Sequence, residues 1–240
     1  MDDKGMYGSR AELYDPIYHW KDYAAEAERL AAILGELGVA DGARVLEAAC
    51  GTGSHMARLA GRYRLTGFDR SAAMLEQARA KLPQAELFRA DMADFRVAEP
   101  FDALLCLFSA IGYVYPEERL GRAAQAFAAA VRPGGGLVIE PWLTPETATQ
   151  GKAALHSYDS EELKLARMVV TEIEGRLVRL DFHWLVARPG RPVTRFLDRH
   201  ELWLYTHEEM LAAFEAAGFE LRFEPDGLMP GRGLWLGTRR

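Results

Sequence analysis

The stretch Glu47-Ala48-Ala49-Cys50-Gly51-Thr52-Gly53 carries the most chemical information in the chain. It closes the apolar run Arg44–Ala48, which reads as a buried strand, and leads into the helical segment Ser54–Ala60. A strand that enters a helix through glycines lets a ligand approach the backbone. The N–H groups of the helix start favour an anion there, either a pyrophosphate or an amino-acid carboxylate. A dinucleotide fingerprint needs Gly-x-Gly-x-x-Gly; Gly51 and Gly53 are present, but Met56 holds the third position. A plain tight turn remains the alternative. Asp69 ends the next strand, where a carboxylate can accept ribose hydroxyls, and it can also cap a helix beginning near Ser71. Asp91-Met92 follows the third strand. There a carboxylate can meet an adenine amino group while the thioether lies against the ring; a solvated turn is the other reading. Glu47 can serve the glycine loop itself through hydrogen bonds. Together these residues mark the carboxyl edge of a parallel sheet, where open α/β folds bind ligands.

The elements that must position them alternate in a regular order. Apolar residues recur at helical spacing from Trp20 to Leu37 and stop near Gly38. Strand Arg44–Ala48, helix Ser54–Ala60, strand Arg64–Phe68, helix Ser71–Lys81 and strand Ala85–Phe88 follow. Apart from Asp102, strand Phe101–Leu107 is an apolar run, as expected when both faces are covered. Helix Glu117–Val131 ends at Pro133-Gly134-Gly135-Gly136, before strand Leu137–Glu140. Such alternation implies a parallel sheet with right-handed crossovers. The pattern then changes. Leu163–Ile173, Arg176–Ala187 and Thr194–Tyr205 are rich in β-branched and aromatic residues and predict an antiparallel meander. Helix His207–Ala217, with His207 as its expected cap, strand Phe219–Glu224 and strand Gly233–Gly237 complete the core. Residues 1–140 thus predict an amino-terminal arm with an α/β core, 141–205 an antiparallel insertion acting as a lid or association surface, and 206–240 the completion of the core sheet.

The bulk composition narrows the function classes. The chain has 240 residues, 49% of them hydrophobic and 27% charged, which suits one α/β domain with an insertion. Its net charge of -6 repels phosphate backbones, so a nucleic-acid partner is not expected. Cys50 and Cys106 have no partner at metal-ligand spacing; free thiols in a reducing cytoplasm are the simplest reading. Met1-Asp2-Asp3-Lys4 has no basic region leading into an apolar stretch, so a signal peptide is not expected. No apolar run reaches the length of a membrane span.

Val45–Gly53, Gly67-Phe68-Asp69, Ala90-Asp91-Met92 and Arg132-Pro133-Gly134-Gly135 resemble the successive motifs of class I S-adenosylmethionine-dependent methyltransferases. Ala49 stands where the usual E/D-x-G-x-G-x-G has its first glycine. The resemblance implies a Rossmann-like seven-stranded sheet with the last strand antiparallel and an antiparallel β insertion after the fifth strand. It implies ribose binding by Asp69, adenine contacts from Asp91 and Met92, and close approach of the methionine part to Ala49, Gly51 and Gly53. A narrower resemblance spans nearly the whole chain. Ala11–Asp15, Lys21-Asp22-Tyr23, Leu107–Gly112, Glu140-Pro141-Trp142 and Gly231-Arg232-Gly233-Leu234 are similar to bacterial N,N-dimethyltransferases of nucleotide-linked amino sugars. That group implies a homodimer, Tyr14 near the acceptor amine, Tyr23 near the cofactor and Arg232 at the pyrophosphate. Its members carry His after the Ile-Gly, where this chain has Tyr113.

Methyl transfer from a sulfonium is an in-line displacement that needs proximity, exclusion of water and a neutral nucleophile. By topology Tyr14, Tyr113, Glu140 and His183 are in reach of an acceptor. Tyr14 and Tyr113 are expected to orient it without acting as strong bases. Ser109, Trp142 and Arg232 are expected to join them on the acceptor side, with Tyr23, Glu47 and Cys106 added to the cofactor side. Ser109 can equally bond local backbone, and Trp142 can equally be a core residue. His19, His55, His156 and His200 read as ordinary surface or core groups. The leading function is N-methylation of a small molecule, with O- or C-methylation as the alternative. A nicotinamide oxidoreductase is disfavoured by Met56 and by Asp91-Met92, and a binding protein without turnover by the acidic pair. A nucleic-acid methyltransferase is disfavoured by the charge and by Phe108-Ser109-Ala110-Ile111 after the fourth strand.

Overall fold

A computed structural model of the chain describes residues 5–116 and 118–240. Met1-Asp2-Asp3-Lys4 and Glu117, on which the leader expectation and the start of one helix fall, lie outside the described residues. An amino-terminal arm runs through a 3-10 turn, Ala11–Leu13, into the short helix α1 (Tyr14–Ile17). Helix α2 (Tyr23–Glu36) starts where the Asp22 carboxylate accepts from the Ala24 and Ala25 amides. It buries Ala27, Leu30, Ala31, Ile33 and Leu34 along one face. There follow β1 (Arg44–Ala48), α3 (Ser54–Leu59), β2 (Arg64–Asp69), α4 (Ala72–Lys81), β3 (Glu86–Arg89) and β4 (Phe101–Cys106). A second 3-10 turn, Ala110–Tyr113, precedes α5 (Glu118–Ala130) and β5 (Val131–Ile139).

The remaining elements are β6 (Ala153–Asp159), β7 (Lys164–Glu174), β8 (Leu177–Ala187), β9 (Thr194–Trp203), α6 (His207–Ala216), β10 (Phe219–Glu224) and β11 (Leu234–Arg239). The main sheet has the order β10-β11-β5-β4-β1-β2-β3. Strands β1 to β5 pair in parallel, and β11 runs antiparallel between β5 and β10. The seven-stranded sheet with an antiparallel last strand is therefore as the sequence leads one to expect. Apolar residues cover both of its faces. Phe68, Phe127, Phe214 and Phe219 pack on one side, and Leu30, Leu34, Met56 and Leu105 on the other.

Three boundaries depart from the sequence reading. Strand β5 starts at Val131, directly after α5, pairs with Phe101, bulges, and resumes pairing at Gly136 opposite Ala103. A Cβ at Gly135 would stand 2.7 Å from Val131 Cγ1 and 2.8 Å from the Asp102 carbonyl, so the bulge requires glycine there. The cap of α6 is Thr206, not His207: Thr206 and Glu209 form a reciprocal capping box. The meander has four strands, not three, in the order β6-β7-β8-β9. Its first strand, AALHSYD, is too polar to be picked out by hydrophobicity alone.

This second, antiparallel sheet has two different faces. The inner one buries Leu165, Val169, Val178, Leu180, Phe182, Trp184 and Leu202 against Met6, Leu13, Tyr14 and Ile17 of the arm. The outer one leaves Leu155, Met168, Val170, Leu185 and Leu197 about half exposed. Among the described residues no helix is long and apolar enough to cross a membrane.

Candidate active site

The carboxyl ends of β1, β2, β3 and β4 surround one cleft. It is lined by Ala49, Gly51, Asp69, Arg70, Asp91 and Met92 on the strand side, and by Tyr7, Tyr14, Phe108 and Tyr113 across from them. Between β1 and α3 the chain turns left-handed at Ala49 (φ 53°), Gly51 (φ 55°) and Gly53 (φ 73°). The two glycines serve different needs. A Cβ on Gly51 would meet nothing within 4 Å, so its backbone is open to the cleft. A Cβ on Gly53 would stand 2.7 Å from Leu82 Cδ1, so this glycine lets the turn pack on α4.

Asp69 ties the turn to the next strand. Its Oδ2 accepts from the Gly51 amide at 3.0 Å and its Oδ1 from the Ser71 amide at 2.8 Å. Ser71, and not Asp69, is the residue that caps α4. Burial pushes the Asp69 carboxyl above its ordinary value, against the pull of those amides. Each oxygen keeps a lone pair for a further donor. At Asp91, burial is outweighed by the Ala93 amide and by Arg119, whose Nη2 lies 2.6 Å away, and the carboxyl sits below its ordinary value. Arg70 stands 3.4 Å from its other oxygen.

Glu47, Gly53, Cys106 and Tyr23 do not form the wall of this cleft. Gly53 and Cys106 are packing residues: the Cys106 thiol points at Met92 Sδ, 3.7 Å away in the core. Tyr23 opens α2 with its ring edge-on to His55. Glu47 lies buried, 3.8 Å from His55, and its Oε2 has no hydrogen-bond partner among the described residues.

A second cavity, of about 360 Å³, lies between the sheets. Ser109, Tyr113, Trp142 and Arg232 line it, and Tyr14 does not. Tyr7, Phe108 and Tyr113 belong to both walls and form the boundary between the two spaces. Phe108 (φ 51°) and Ser109 (φ 64°) turn the chain sharply after β4. The Phe108 amide donates to Glu140 Oε2 at 2.6 Å, and Ser109 Oγ donates to the Pro141 carbonyl at 3.0 Å. Glu140 is fully buried and lines neither space, so it is a backbone clamp and not an acceptor-side base. His183 points to the exposed outer face of β8, away from the cavity. Trp142 is half-buried and walls the cavity.

The acceptor-side cavity holds residues that the sequence reading did not single out. Arg167 on β7 is 2% exposed, yet no carboxylate pairs with it among the described residues. It donates to Tyr18 Oη at 3.0 Å, reaches His156 Nδ1 at 3.3 Å, and sits 4.5 Å over the Phe182 ring with its Nε unpartnered. Arg232 donates to Ser109 Oγ at 2.9 Å and lies 4.9 Å over Trp142. Burial lowers its pKa, while Glu140 nearby opposes that shift. Tyr113 Oη lies 2.6 Å from His200 Nδ1 and 3.3 Å from Tyr7 Oη. His200 Nε2 in turn lies 2.9 Å from Asp198 Oδ2. Burial raises the pKa of Tyr7, Tyr14 and Tyr113, so all three stay protonated at neutral pH. A usable sequence signal existed for Asp198, His200 and Arg167. Arg167 stands between Leu165 and Val169, and Asp198 with His200 between Phe196 and Leu202, polar residues on the inward face of alternating strands. No such signal marks Tyr7.

The cleft fits an adenosylated amino acid. It offers an open glycine backbone and two carboxylates at successive strand ends, and behind the turn, within β1, Glu47 keeps an orphaned buried oxygen. Sheet order and cleft together define the class of Rossmann-like S-adenosylmethionine-dependent methyltransferases. Residues 45–135 match the methyltransferase domain family. The chain is 39% identical to dTDP-3-amino-3,6-dideoxy-alpha-D-glucopyranose N,N-dimethyltransferase of Streptomyces fradiae, over 96% of this chain and 91% of that protein. It is 37% identical to dTDP-3-amino-3,4,6-trideoxy-alpha-D-glucopyranose N,N-dimethyltransferase of Streptomyces venezuelae, over 95% and 97%. Among solved structures, Streptomyces venezuelae DesVI matches with a TM-score of 0.91 at 36% identity, covering 97% of this chain and 99% of that one. The chain is an S-adenosylmethionine-dependent methyltransferase and belongs to the family of these N,N-dimethyltransferases.

Glu47 gives the site a pH signature. Burial, and then the charge of Asp69, push its carboxyl up to about 8. In the unfolded chain it titrates in the ordinary carboxylate range. The folded protein therefore holds a proton that the unfolded chain releases, and this stabilisation disappears as pH rises through 8. Urea denaturation of the ligand-free protein is expected to show stability falling from about pH 5 to about pH 8. Glu47→Gln should flatten that slope most toward pH 8, leaving what Asp69 and Glu140, also raised by burial, contribute; an unchanged slope in the variant would show that Glu47 does not carry it.

Proposed function

We propose that the enzyme methylates the amine nitrogen of a nucleotide-linked amino sugar. The observation that carries this reading is the pair Arg167 and Arg232: one buried and one half-buried guanidinium on one cavity, neither salt-bridged among the described residues. A buried charge without a partner is costly. A diphosphate entering the cavity neutralises both and accepts their hydrogen bonds. The names of the relatives, each a dTDP-amino-sugar N,N-dimethyltransferase, agree with that charge pattern.

When bound, S-adenosylmethionine supplies a methyl group on a positively charged sulfur, open to displacement by a neutral amine. In this reading Asp69 takes the ribose hydroxyls, Asp91 and Met92 take the adenine, and Ala49 and Gly51 admit the amino-acid part. Glu47, Gly53, Cys106 and Tyr23 support that cradle from behind. Tyr14 closes the cofactor side, and Tyr113 orients the amine at the shared wall. Ser109 holds Arg232 toward the phosphates, and Trp142 flanks it. Rate comes chiefly from approximation inside a dry cavity. Residues 141–205 then cover the acceptor, while 1–140 and 206–240 build the core. The outer face of the second sheet, with Leu155, Met168, Val170, Leu185 and Leu197 exposed, suits burial against a second copy. Two buried free thiols accord with a cytoplasmic enzyme.

These assignments yield three expectations. Calorimetry with S-adenosylhomocysteine should show Asp69→Ala binding about 1–3 kcal/mol more weakly; equal affinity removes Asp69 from the site. Arg167→Met and Arg232→Met should each raise KM for dTDP-3-amino-3,6-dideoxy-alpha-D-glucopyranose about 10- to 100-fold, with cofactor affinity unchanged. Equal turnover of the same amino sugar without its nucleotide, or methyl recovered on oxygen, would refute the acceptor class. Sedimentation should find a dimer that Leu197→Asp combined with Met168→Asp converts to monomer; a monomeric parent protein at tens of micromolar refutes the pairing.

A further inference from the structure

An alkylamine is mostly protonated at neutral pH, so one proton must leave before nitrogen can attack. A first methyl transfer produces an ammonium again, and a second transfer needs another deprotonation. Of the two tyrosines that border both spaces, Tyr7 and Tyr113, it is Tyr113 whose hydroxyl meets a histidine with a route for a proton behind it. That route is a row of three groups: Tyr113 Oη to His200 Nδ1 at 2.6 Å, then His200 Nε2 to Asp198 Oδ2 at 2.9 Å. Asp198 Oδ2 also accepts from the Met6 amide at 3.1 Å. His200 is 4% exposed and Asp198 7%.

The groups around His200 are few. Tyr7 of the arm stands edge-on at 4.8 Å and Tyr113 at 6.0 Å between ring centroids; Phe182 of β8 stands at 5.2 Å; Asp198 lies on its own strand. Arg167 of β7 is the cation that acts on Tyr113. A carboxylate on Nε2 keeps the proton on that nitrogen. Nδ1 is thereby left as an acceptor, facing the Tyr113 hydroxyl.

We infer that Tyr113, His200 and Asp198 form a relay that takes the proton from the acceptor amine before each methyl transfer. The inference rests on the amine-methylation reading above. An N–H bond of the ammonium breaks and its proton bonds to Tyr113 Oη. The hydroxyl's own proton passes to His200 Nδ1. The electron pair left on nitrogen is the nucleophile. Tyr113 ends neutral, and the imidazolium is held against the Asp198 carboxylate. The proton returns through the same hydroxyl to water when product leaves. No electron changes owner. Burial keeps the Tyr113 hydroxyl from ionising, which suits a relay and not a phenolate base. Tyr113 touches the acceptor; His200 and Asp198 act through it as positioning residues.

The test uses the full chain with S-adenosylmethionine and dTDP-3-amino-3,6-dideoxy-alpha-D-glucopyranose, from about pH 6 to about pH 9. His200→Gln keeps a hydrogen-bonding side chain but cannot hold the proton. Its kcat is expected to fall about 100-fold at neutral pH, with KM for S-adenosylmethionine unchanged. The deficit should narrow as pH rises and the amine loses its proton unaided, and the dimethyl-to-monomethyl product ratio should drop. Tyr113→Phe should reproduce this profile, and the double variant should be no slower than either single one, because one path is broken once. A His200→Gln enzyme within about twofold of the parent at every pH, or a double variant whose losses multiply, overturns the relay. Imidazole nitrogen shifts of the parent protein supply a check independent of folding losses and of turnover. Protonated Nε2 with unprotonated Nδ1 supports the relay, and a protonated Nδ1 overturns it. A parent protein that methylates no amine sinks the function reading and the relay's role with it. A parent active on amines with a pH-indifferent His200→Gln sinks the relay alone.

Discussion

Phe108 and Ser109 leave β4 in left-handed conformations that ordinary side chains adopt only when their surroundings impose them. Here Glu140 and Pro141, from the segment that follows β5, impose them through the Phe108 amide and the Ser109 hydroxyl. Because β4 and β5 lie side by side in register, with Cys106 opposite Ile139, the clamp and the turn reach the same height together. The turn faces Phe108 into both spaces and aims Ser109 at Arg232. It also starts the 3-10 turn that ends at Tyr113. The wall between cofactor and acceptor is thus built from one strained corner, and the buried carboxylate of Glu140 is what holds it.

Charge is divided along the same wall. On the cofactor side stand Asp69 and Asp91, with Glu47 behind them. On the acceptor side stand Arg167 and Arg232. Neither set is fully neutralised by its own side: Glu47 and Glu140 each keep an orphaned oxygen, and Arg167 an orphaned nitrogen. Buried groups left in this state cost stability in the free protein. In the proposed reading a cationic cofactor and an anionic acceptor would relieve that cost from opposite directions, so the feature that weakens the empty molecule would favour the loaded one. Aromatic faces do part of this work already. Arg167 lies over Phe182 and Tyr18, and Arg232 over Trp142 and Phe108.

Most of the main sheet was legible because its signals are local. β1 and β10 begin and end where the residue pattern places them, and β4 is apolar at every position but Asp102. Strand β6 escaped because its alternation involves His, Ser and Asp, and only pairing with β7 makes it a strand. The cleft residues were legible for the same local reason: Gly51, Asp69 and Asp91 sit at strand ends whose positions the alternation fixes. The acceptor cavity was not, because it forms between two sheets whose mutual placement no window of sequence encodes. Hence Tyr113 was reached by its place after the fourth strand and Arg232 by resemblance, while Arg167 and His200 were passed over and His183, counted within reach of an acceptor, faces away from the cavity. Across β8 and β9, His183 pairs with Leu197 and His200 with Leu180. One faces solvent and the other the cavity, and a single step in register decides which.

The arm explains how the two sides keep their spacing. Tyr7 and Met6 touch both. On the cofactor side, the Tyr7 carbonyl accepts from the Ser71 hydroxyl, and the Ser71 amide donates to Asp69. On the acceptor side, Tyr7 Oη meets Tyr113 Oη, and the Met6 amide holds Asp198. Gly5 passes so close to Asp198 that a Cβ there would overlap the carboxylate. A continuous set of hydrogen bonds therefore runs from Asp69 through Ser71, Tyr7, Tyr113 and His200 to Asp198, and returns to the arm at Met6. The steps Ser71–Tyr7, Tyr7–Tyr113, Tyr113–His200 and Asp198–Met6 cross between the main sheet, the arm and the second sheet. A methyl group moves over a distance shorter than a side chain, and a misplacement of even about 1 Å is costly. Tyr113 and Asp69 both hang from the main sheet, at the ends of β4 and β2, and the arm ties that pair to His200 and Asp198 of the second sheet.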